Sequence, residues 1–158
     1  MARRSAIAIG VAGMMALGVA LLASPASAVT EYHFKLFEKQ SFHGVPANPE
    51  PGKGFRYKGK LFDPQNRDNR VGSDRGKCKI KPHDAVKCQG TAHLDGEIGG
   101  LGDIEGDIEY RGTATRRDST FNVVGGSDDF DGVTGKTGFR NLNRDGTKIM
   151  TKWDLLVP

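Results

Sequence analysis

Alternation of apolar and charged residues with a period of two restricts the fold of this chain more than any other feature. In the segment 55–61 the odd positions are apolar or glycine and the even positions are cationic, and in 104–110 apolar or glycine positions alternate with acids. Such segments bury one face and expose the other, as strands of antiparallel sheets do. The chain also has 22 glycines among its 158 residues, which disfavours a helical bundle.

Turn-forming residues divide the chain into about eight short strands. The predicted turns and loops are 46–54, 63–74, 82–84, 95–96, 125–129 and 143–146, all rich in Pro, Gly, Asn or Asp. The predicted strands are 30–39, 55–62, 76–81, 86–94, 97–114 with a break, 119–124, 134–142 and 147–156. Many short antiparallel strands within one domain predict an all-β fold, a barrel or a sandwich.

The first 28 residues have the pattern of a secretory signal peptide. Arg3 and Arg4 precede an apolar run over 6–23, and the run is followed by Ala26-Ser27-Ala28, a small-x-small cleavage site. A membrane anchor is the competing interpretation of the run, and the twin arginines raise twin-arginine export as an alternative to the Sec route that we expect. We predict a secreted, extracellular domain over 29–158 that has no membrane association after cleavage. Because both leader charges are basic, the domain itself carries less than the +4 of the whole chain.

The two cysteines of the chain, Cys78 and Cys88, indicate a disulfide-bonded hairpin. If the turn is centred on His83, Cys78 faces Cys88 and Ile80 faces Val86, all on one side of the ribbon. In an exported chain this spacing favours a disulfide over a metal pair or a reactive thiol. The four histidines have no zinc spacing, so we predict no metal, and no cofactor motif is recognised.

Six short motifs occur in a specific order along the chain. They are Lys60-Leu61-Phe62, Arg70-Val71-Gly72, Gly76-x-Cys78, Gly90-Thr91-Ala92-His93-Leu94-x-Gly96, Val124-Gly125-Gly126 and Phe130-Asp131-Gly132-Val133-x-Gly135. This series resembles the allene oxide cyclase family and the related dirigent proteins, and in particular secreted bacterial proteins with the same barrel. The resemblance implies a single eight-stranded antiparallel β-barrel with an apolar interior pocket, often as a homo-oligomer, a trimer.

The resemblance also implies candidate site residues. Glu38 matches the pocket carboxylate at the end of the first strand, whereas Gly59 stands where the family has an asparagine. Asp63 is a second candidate carboxylate because it continues the inward parity of Leu61, although an aspartate at this place can also cap a turn. The inward parity predicts the pocket lining: Tyr32, Phe34, Leu36, Phe55, Tyr57, Leu61, Ile80, Val86 and Leu94. A small apolar or phenolic molecule is the expected ligand, bound or guided through isomerisation, cyclisation or coupling. If the protein is an enzyme, we expect an isomerase or cyclase.

The outward parity supports a different hypothesis, a basic surface that binds extracellular polyanions. Its predicted members are Arg56, Lys58, Lys60, Lys77, Lys79, Lys81 and Lys87. No aromatic side chains alternate with these cations, so sequence-specific nucleic-acid recognition is not expected. A solvated, alternately charged surface and mating of acidic and basic stripes between subunits are the alternatives.

Overall fold

The protein folds into a closed barrel of eight antiparallel strands. The computed structural model describes residues 28–115 and 119–158, so the predicted leader lies outside the described residues up to position 27. The strands are β1 (Thr30–His43), β2 (Gly54–Phe62), β3 (Arg70–Ile80), β4 (Val86–Ile98), β5 (Gly102–Ala114), β6 (Thr120–Gly126), β7 (Thr134–Asn141) and β8 (Lys148–Val157). Each strand pairs with its neighbours in sequence, and β8 pairs with β1 to close the barrel. The predicted eight-stranded antiparallel barrel is therefore confirmed.

Three strands extend by four or more residues beyond their predicted bounds, and β1 does so by continuing past position 39 to His43. β3 begins at Arg70 rather than near position 76, and β4 continues through the predicted turn at 95–96 to Ile98. The polar start of β3 is held by ladders on both sides, because Lys60 of β2 pairs with Ser73 and Leu94 of β4 pairs with Gly72. Pairing with two neighbours outweighs the turn propensity of the local sequence.

The β3–β4 hairpin has the predicted register. Cys78 pairs with Cys88 and Ile80 pairs with Val86, and the two cysteines form a disulfide with a Cα–Cα distance of 4.1 Å. This bond ties the two strands together at one end of the barrel.

The two ends of the barrel differ in how they are filled. At one end lie the chain termini of the barrel, the 63–69 loop, the turn at 99–101 and a short 3-10 helix (Asp128–Phe130). The interior here is packed with fully buried apolar side chains: Leu36, Leu61, Val71, Leu94, Ile108, Phe130 and Leu155. The opposite end is the one at which β1, β3, β5 and β7 end, and its interior is less filled. Among the described residues, no helix is long and apolar enough to cross a membrane.

Candidate functional site

A layer of polar side chains lies inside the barrel where the packed half ends. Four strands contribute to it, with Glu38 from β1, Tyr57 from β2, Asp74 from β3 and Tyr110 from β5. All four are buried: Glu38 is fully inaccessible to solvent, and Asp74 is 2% exposed. Each has the inward parity of its strand, so the alternation that builds the core also brings these groups together.

The two tyrosines and Asp74 form a continuous hydrogen-bond chain. The Tyr110 hydroxyl donates to Asp74 Oδ2 at 2.6 Å, and the hydroxyl oxygens of Tyr57 and Tyr110 are 2.5 Å apart. Each phenol has one proton, and that of Tyr110 is used on Asp74. While Asp74 is ionised, the hydrogen bond between the tyrosines is therefore donated by Tyr57 to Tyr110.

Glycines provide the space for this cluster. A Cβ atom at Gly59 would overlap the Glu38 carboxyl group, and one at Gly76 or Gly90 would overlap the Tyr57 hydroxyl. Gly76 and Gly90 are paired across β3 and β4. The barrel wall is thus free of side chains where the polar tips lie, and a larger residue at Gly59 cannot coexist with the observed position of Glu38.

Burial changes the acidity of all four groups. Loss of solvation, the largest cause, raises the pKa of Asp74 to about 7, although the hydrogen bonds from Tyr110 and from the Arg75 backbone favour its carboxylate. Loss of solvation and the nearby Asp74 charge raise the pKa of Glu38 well above its usual value. The same two causes, in the same order, raise the pKa values of Tyr57 and Tyr110. Glu38 is accordingly the neutral carboxylic acid of the pair, and Asp74 carries the charge when one is present.

Several buried polar atoms of this layer have no hydrogen-bond partner among the described residues. They are both carboxyl oxygens of Glu38, Oδ1 of Asp74 and the Thr137 hydroxyl. The Gln40 amide lies near enough to Glu38 to act against the rise of its pKa, but it does not reach hydrogen-bond geometry. Buried polar groups are nearly always paired in folded proteins. Three of these four atoms belong to Glu38 and Asp74, so the unmet hydrogen-bond requirement of the described interior is concentrated on the two buried carboxyl groups.

A cavity of about 690 Å³ opens above the polar layer at the less filled end of the barrel. Tyr57 and Tyr110 lie at its inner end, and Arg140 lies exposed at its rim. The wall is mostly aromatic or apolar, with the disulfide on one side: Phe42, Phe55, Cys78, Val86, Cys88, Ala114, Phe121, Phe139 and Ile149. Phe121 and Phe139 meet edge to face with their ring centroids 5.1 Å apart. Such a site accommodates one small planar molecule.

The predicted pocket lining falls into two groups. Phe55, Tyr57 and Val86 line the cavity. Phe34, Leu36, Leu61 and Leu94 face inward but lie in the packed core, and Tyr32 packs against Phe130 at the closed end. Ile80 is buried beside the 44–53 loop, where its backbone bonds Gly52 and Lys53. These six residues do not line the cavity, because parity gives the direction of a side chain but not its height in the barrel.

Asp63 lies at the closed end of the barrel, away from Glu38. Its carboxylate accepts hydrogen bonds from the backbone N–H groups of Gln65 at 2.7 Å and Gly99 at 3.1 Å. A register irregularity between Leu61 and Phe62 interrupts the parity on which the prediction rested. Asp63 therefore joins two loops, the turn-capping alternative, and does not line the cavity.

Two members of the polar layer were not among the predicted site residues, Asp74 and Tyr110. The sequence pattern placed Asp74 in the 63–74 loop, although it has the same parity as Cys78 and Ile80. Tyr110 was recognised only as the end of an alternating strand. The parity of both residues indicates that they face inward. For Asp74 this was missed because the start of β3 is too polar to be recognised as a strand.

The predicted basic residues are exposed on the outside of neighbouring strands. Arg56 pairs with Lys77 across β2 and β3, and Lys79 pairs with Lys87 across β3 and β4. Arg75 and Arg111 extend this surface, which contains a shallow groove of about 800 Å³. None of the ion pairs within the described ranges involves these cations. We refer to the seven predicted cations with Arg75 and Arg111 as the basic face.

Within 28–115 and 119–158, no group of three or more histidine, cysteine, aspartate or glutamate residues is arranged to hold a metal ion. The buried carboxyls of Glu38 and Asp74 are accompanied by tyrosines rather than by further metal ligands.

Comparison with known proteins finds similarity at the level of the fold. No family model matches the sequence, and no protein with a curated description matches it by sequence alone. Among solved structures, a pyocyanin demethylase is 18% identical with a TM-score of 0.58, the match covering 78% of this chain and 99% of that one. A pterocarpan synthase dirigent protein is 17% identical with a TM-score of 0.59, over 82% and 94% of the two chains. A Diels–Alderase from Streptomyces koyangensis is 15% identical with a TM-score of 0.59, over 83% and 69%.

The similarity between this chain and these solved structures is a similarity of fold. The predicted resemblance to dirigent-like barrels is confirmed at that level, since dirigent proteins and cyclase barrels are both among the matching structures. The identities are too low to transfer an activity or a residue role.

Proposed function

We propose that this protein is a small-molecule-binding barrel that holds a planar apolar or phenolic molecule in the cavity above the polar layer. The observation that carries the proposal is a cavity with a mostly aromatic and apolar wall and two tyrosines, Tyr57 and Tyr110, at its inner end. Apolar walls supply affinity, and a few polar groups fix orientation. The matching structures support this choice, because they are described as a pyocyanin demethylase, pterocarpan synthases and cycloaddition enzymes.

The same site favours guided isomerisation, cyclisation or coupling of the bound molecule. A close-fitting cavity holds a flexible reactive molecule in one conformer, which lowers the entropic cost of ring closure. Glu38 is a neutral acid with no exposed surface and lies behind the cavity rather than on its wall, so it does not itself contact a bound molecule. Asp74 is suited to accept a proton near neutral pH, so the layer contains both an acid and a base.

Binding of the neutral dye Nile red tests the cavity directly. Ala114 lines the cavity, whereas Thr113, the preceding residue on β5, is exposed on the outside. We expect Ala114→Trp to fill the cavity and weaken dye binding by about tenfold or more, and Thr113→Trp to leave it unchanged. Binding must survive high salt, because it is driven by apolar burial. Equal effects of the two tryptophans, or no dye binding by the wild type, would contradict the proposal.

Polyanion binding by the basic face is the second candidate. The observation that favours it is the clustering of exposed cations on β2, β3 and β4 without ion-pair partners among the described residues. We expect retention on a heparin column that is lost at moderate salt and reduced in Lys77→Glu. Lys35→Glu makes the same charge change on β1, away from this face, and is the control. Equal elution of the two variants would reject specific use of the basic face.

We further infer that the domain acts outside the cell. The leader pattern over 1–28 and the disulfide between Cys78 and Cys88 support this inference. Mass spectrometry of the protein from culture medium is expected to give a chain that begins at Val29. A cell-retained chain that still begins at Met1 would contradict export.

A further inference from the structure

The direction of the hydrogen bonds in the polar layer specifies what kind of ligand atom the cavity accepts. Tyr110 uses its proton on Asp74 Oδ2 at 2.6 Å, so Tyr57 uses its proton on Tyr110. The Tyr57 oxygen then has lone pairs but no proton to offer. While Asp74 is ionised, a ligand group that meets Tyr57 at the inner end of the cavity must therefore donate a hydrogen bond.

We propose that Asp74, Tyr110 and Tyr57 form a proton-accepting relay that selects ligands carrying a phenolic or enolic hydroxyl group and can take the proton of that group. This inference rests on the proposed function, because it assigns the substrate class of the same cavity. Tyr57 is the residue that touches the ligand, Tyr110 is a positioning residue, and Asp74 is the final proton acceptor.

The transfer step is balanced without any further reactant. The ligand O–H bond breaks as its proton moves to the Tyr57 oxygen, the Tyr57 proton moves to Tyr110, and the Tyr110 proton moves to Asp74 Oδ2. Three protons each cross one hydrogen bond, so the net result is that the ligand loses one proton and Asp74 gains one. One negative charge has moved from Asp74 to the ligand. No electrons are gained or lost, and reversal of the step restores the starting state.

The surroundings of Asp74 fit this role. The groups that face it are Glu38 from β1, Tyr57 from β2 and Tyr110 from β5, and the Arg75 backbone N–H also stabilises its carboxylate. None of these groups is a cation. A phenol or enol that enters as a neutral molecule is therefore favoured over a carboxylate, which would bring a second negative charge beside Asp74. Because the pKa of Asp74 is raised to about 7, its carboxylate is a stronger base than an exposed aspartate and better matched to such weak acids.

The direction of the relay depends on the charge of Asp74. When the carboxylate is protonated, Asp74 can donate to Tyr110, Tyr110 to Tyr57, and Tyr57 to the ligand. The cavity then prefers an acceptor such as an ether oxygen. We expect the cavity to prefer a hydroxyl ligand at pH values above the pKa of Asp74. At pH values below this pKa the preference should weaken.

A matched pair of probes, 2-naphthol and 2-methoxynaphthalene, tests the relay. The two molecules are planar and similar in size, but only the naphthol has a proton to donate. With the wild-type protein at about pH 8, where Asp74 is ionised, calorimetry is expected to show about tenfold tighter binding of 2-naphthol, the worth of one good hydrogen bond. At about pH 5 the ratio of the two affinities should fall towards one or below.

Tyr57→Phe provides the test in the protein, with Tyr32→Phe as the control. Tyr32 lies at the closed end of the barrel, where it packs against Phe130. The Tyr57→Phe protein is expected to bind both naphthalenes with equal affinity, and Tyr32→Phe should keep the wild-type ratio. Because the ratio is also measured on the wild type with two ligands, the test does not depend on the folding of a variant.

The possible failures are distinguishable. Equal affinity of the wild type for both naphthalenes at about pH 8, or an unchanged ratio in Tyr57→Phe, would overturn the relay and leave the cavity as a binding site. If neither naphthalene binds the wild type and Nile red does not bind either, both the relay and the proposed function are overturned.

Discussion

Asp74 should make the wild-type protein less stable as the pH rises, the opposite of what an aspartate in an ion pair does, and replacement of Asp74 by asparagine should remove this effect. The folded protein raises the pKa of Asp74 from 3.8 to about 7, so between these values the folded state holds a proton that the unfolded state has lost. The contribution of Asp74 to the stability of the protein is therefore greatest below about pH 4, and it is lost as the pH rises through about 7. Over the whole interval the free energy of unfolding falls by at most about 4 kcal/mol because of Asp74. Between about pH 5 and pH 8 the expected fall is about 2–3 kcal/mol. The raised pKa of Glu38 acts in the same direction.

Urea unfolding at these two pH values measures the effect. The wild type should be less stable at the higher pH by a few kcal/mol, and in Asp74→Asn this difference should shrink by about the Asp74 contribution. Asp95→Asn, an exposed aspartate on β4, is the control for the chemical change. A wild-type stability that is constant or rises between the two pH values would refute the reasoning, as would an identical pH dependence in Asp74→Asn.

Three further predictions test other parts of the structure. Gly59→Ala should destabilise the protein by about 1–3 kcal/mol in urea unfolding because its Cβ overlaps the Glu38 carboxyl, whereas Gly138→Ala, which has open space around it, should stay within about 0.5 kcal/mol of the wild type. Equal effects would contradict the packing of Glu38. Reduction of the β3–β4 disulfide should lower the free energy of unfolding by about 2–3 kcal/mol, and a midpoint that does not move once the thiols titrate as free would contradict this value. Asp63→Asn should speed amide exchange at Gly99 and leave dye affinity within about twofold of the wild type, and a large loss of affinity would place Asp63 at the site after all.

The fold could be predicted from the sequence because alternation of apolar and charged residues indicates a strand with one buried and one exposed face. The Cys78–Cys88 pairing followed from the position of the turn, and the hairpin has that register. The start of β3 was not accessible, because Arg70–Asp74 is polar enough to be typical of a loop. It becomes a strand only through its ladders to β2 and β4, which are long-range contacts that no local pattern records.

The candidate site was predictable only in part. Parity indicated that Glu38 faces inward, and the structure places it there with no solvent exposure. The same parity applied to Asp74, but an acidic residue next to a predicted loop was assigned to that loop. Gly59 was recognised only as part of an alternating strand and Gly76 and Gly90 only as members of short motifs, whereas the structure shows that all three make room for carboxyl and hydroxyl groups. Which inward residues border the cavity depends on their height in the closed barrel, and height is set by the stagger of all eight strands.

A crystal structure of the protein grown with 2-naphthol tests the central claim most directly. We expect electron density for the naphthalene rings inside the cavity, packed against Phe121 and Phe139, with the ligand oxygen within hydrogen-bond distance of the Tyr57 hydroxyl. A cavity filled by protein side chains, or a naphthol bound only on the outside of the barrel, would contradict the account.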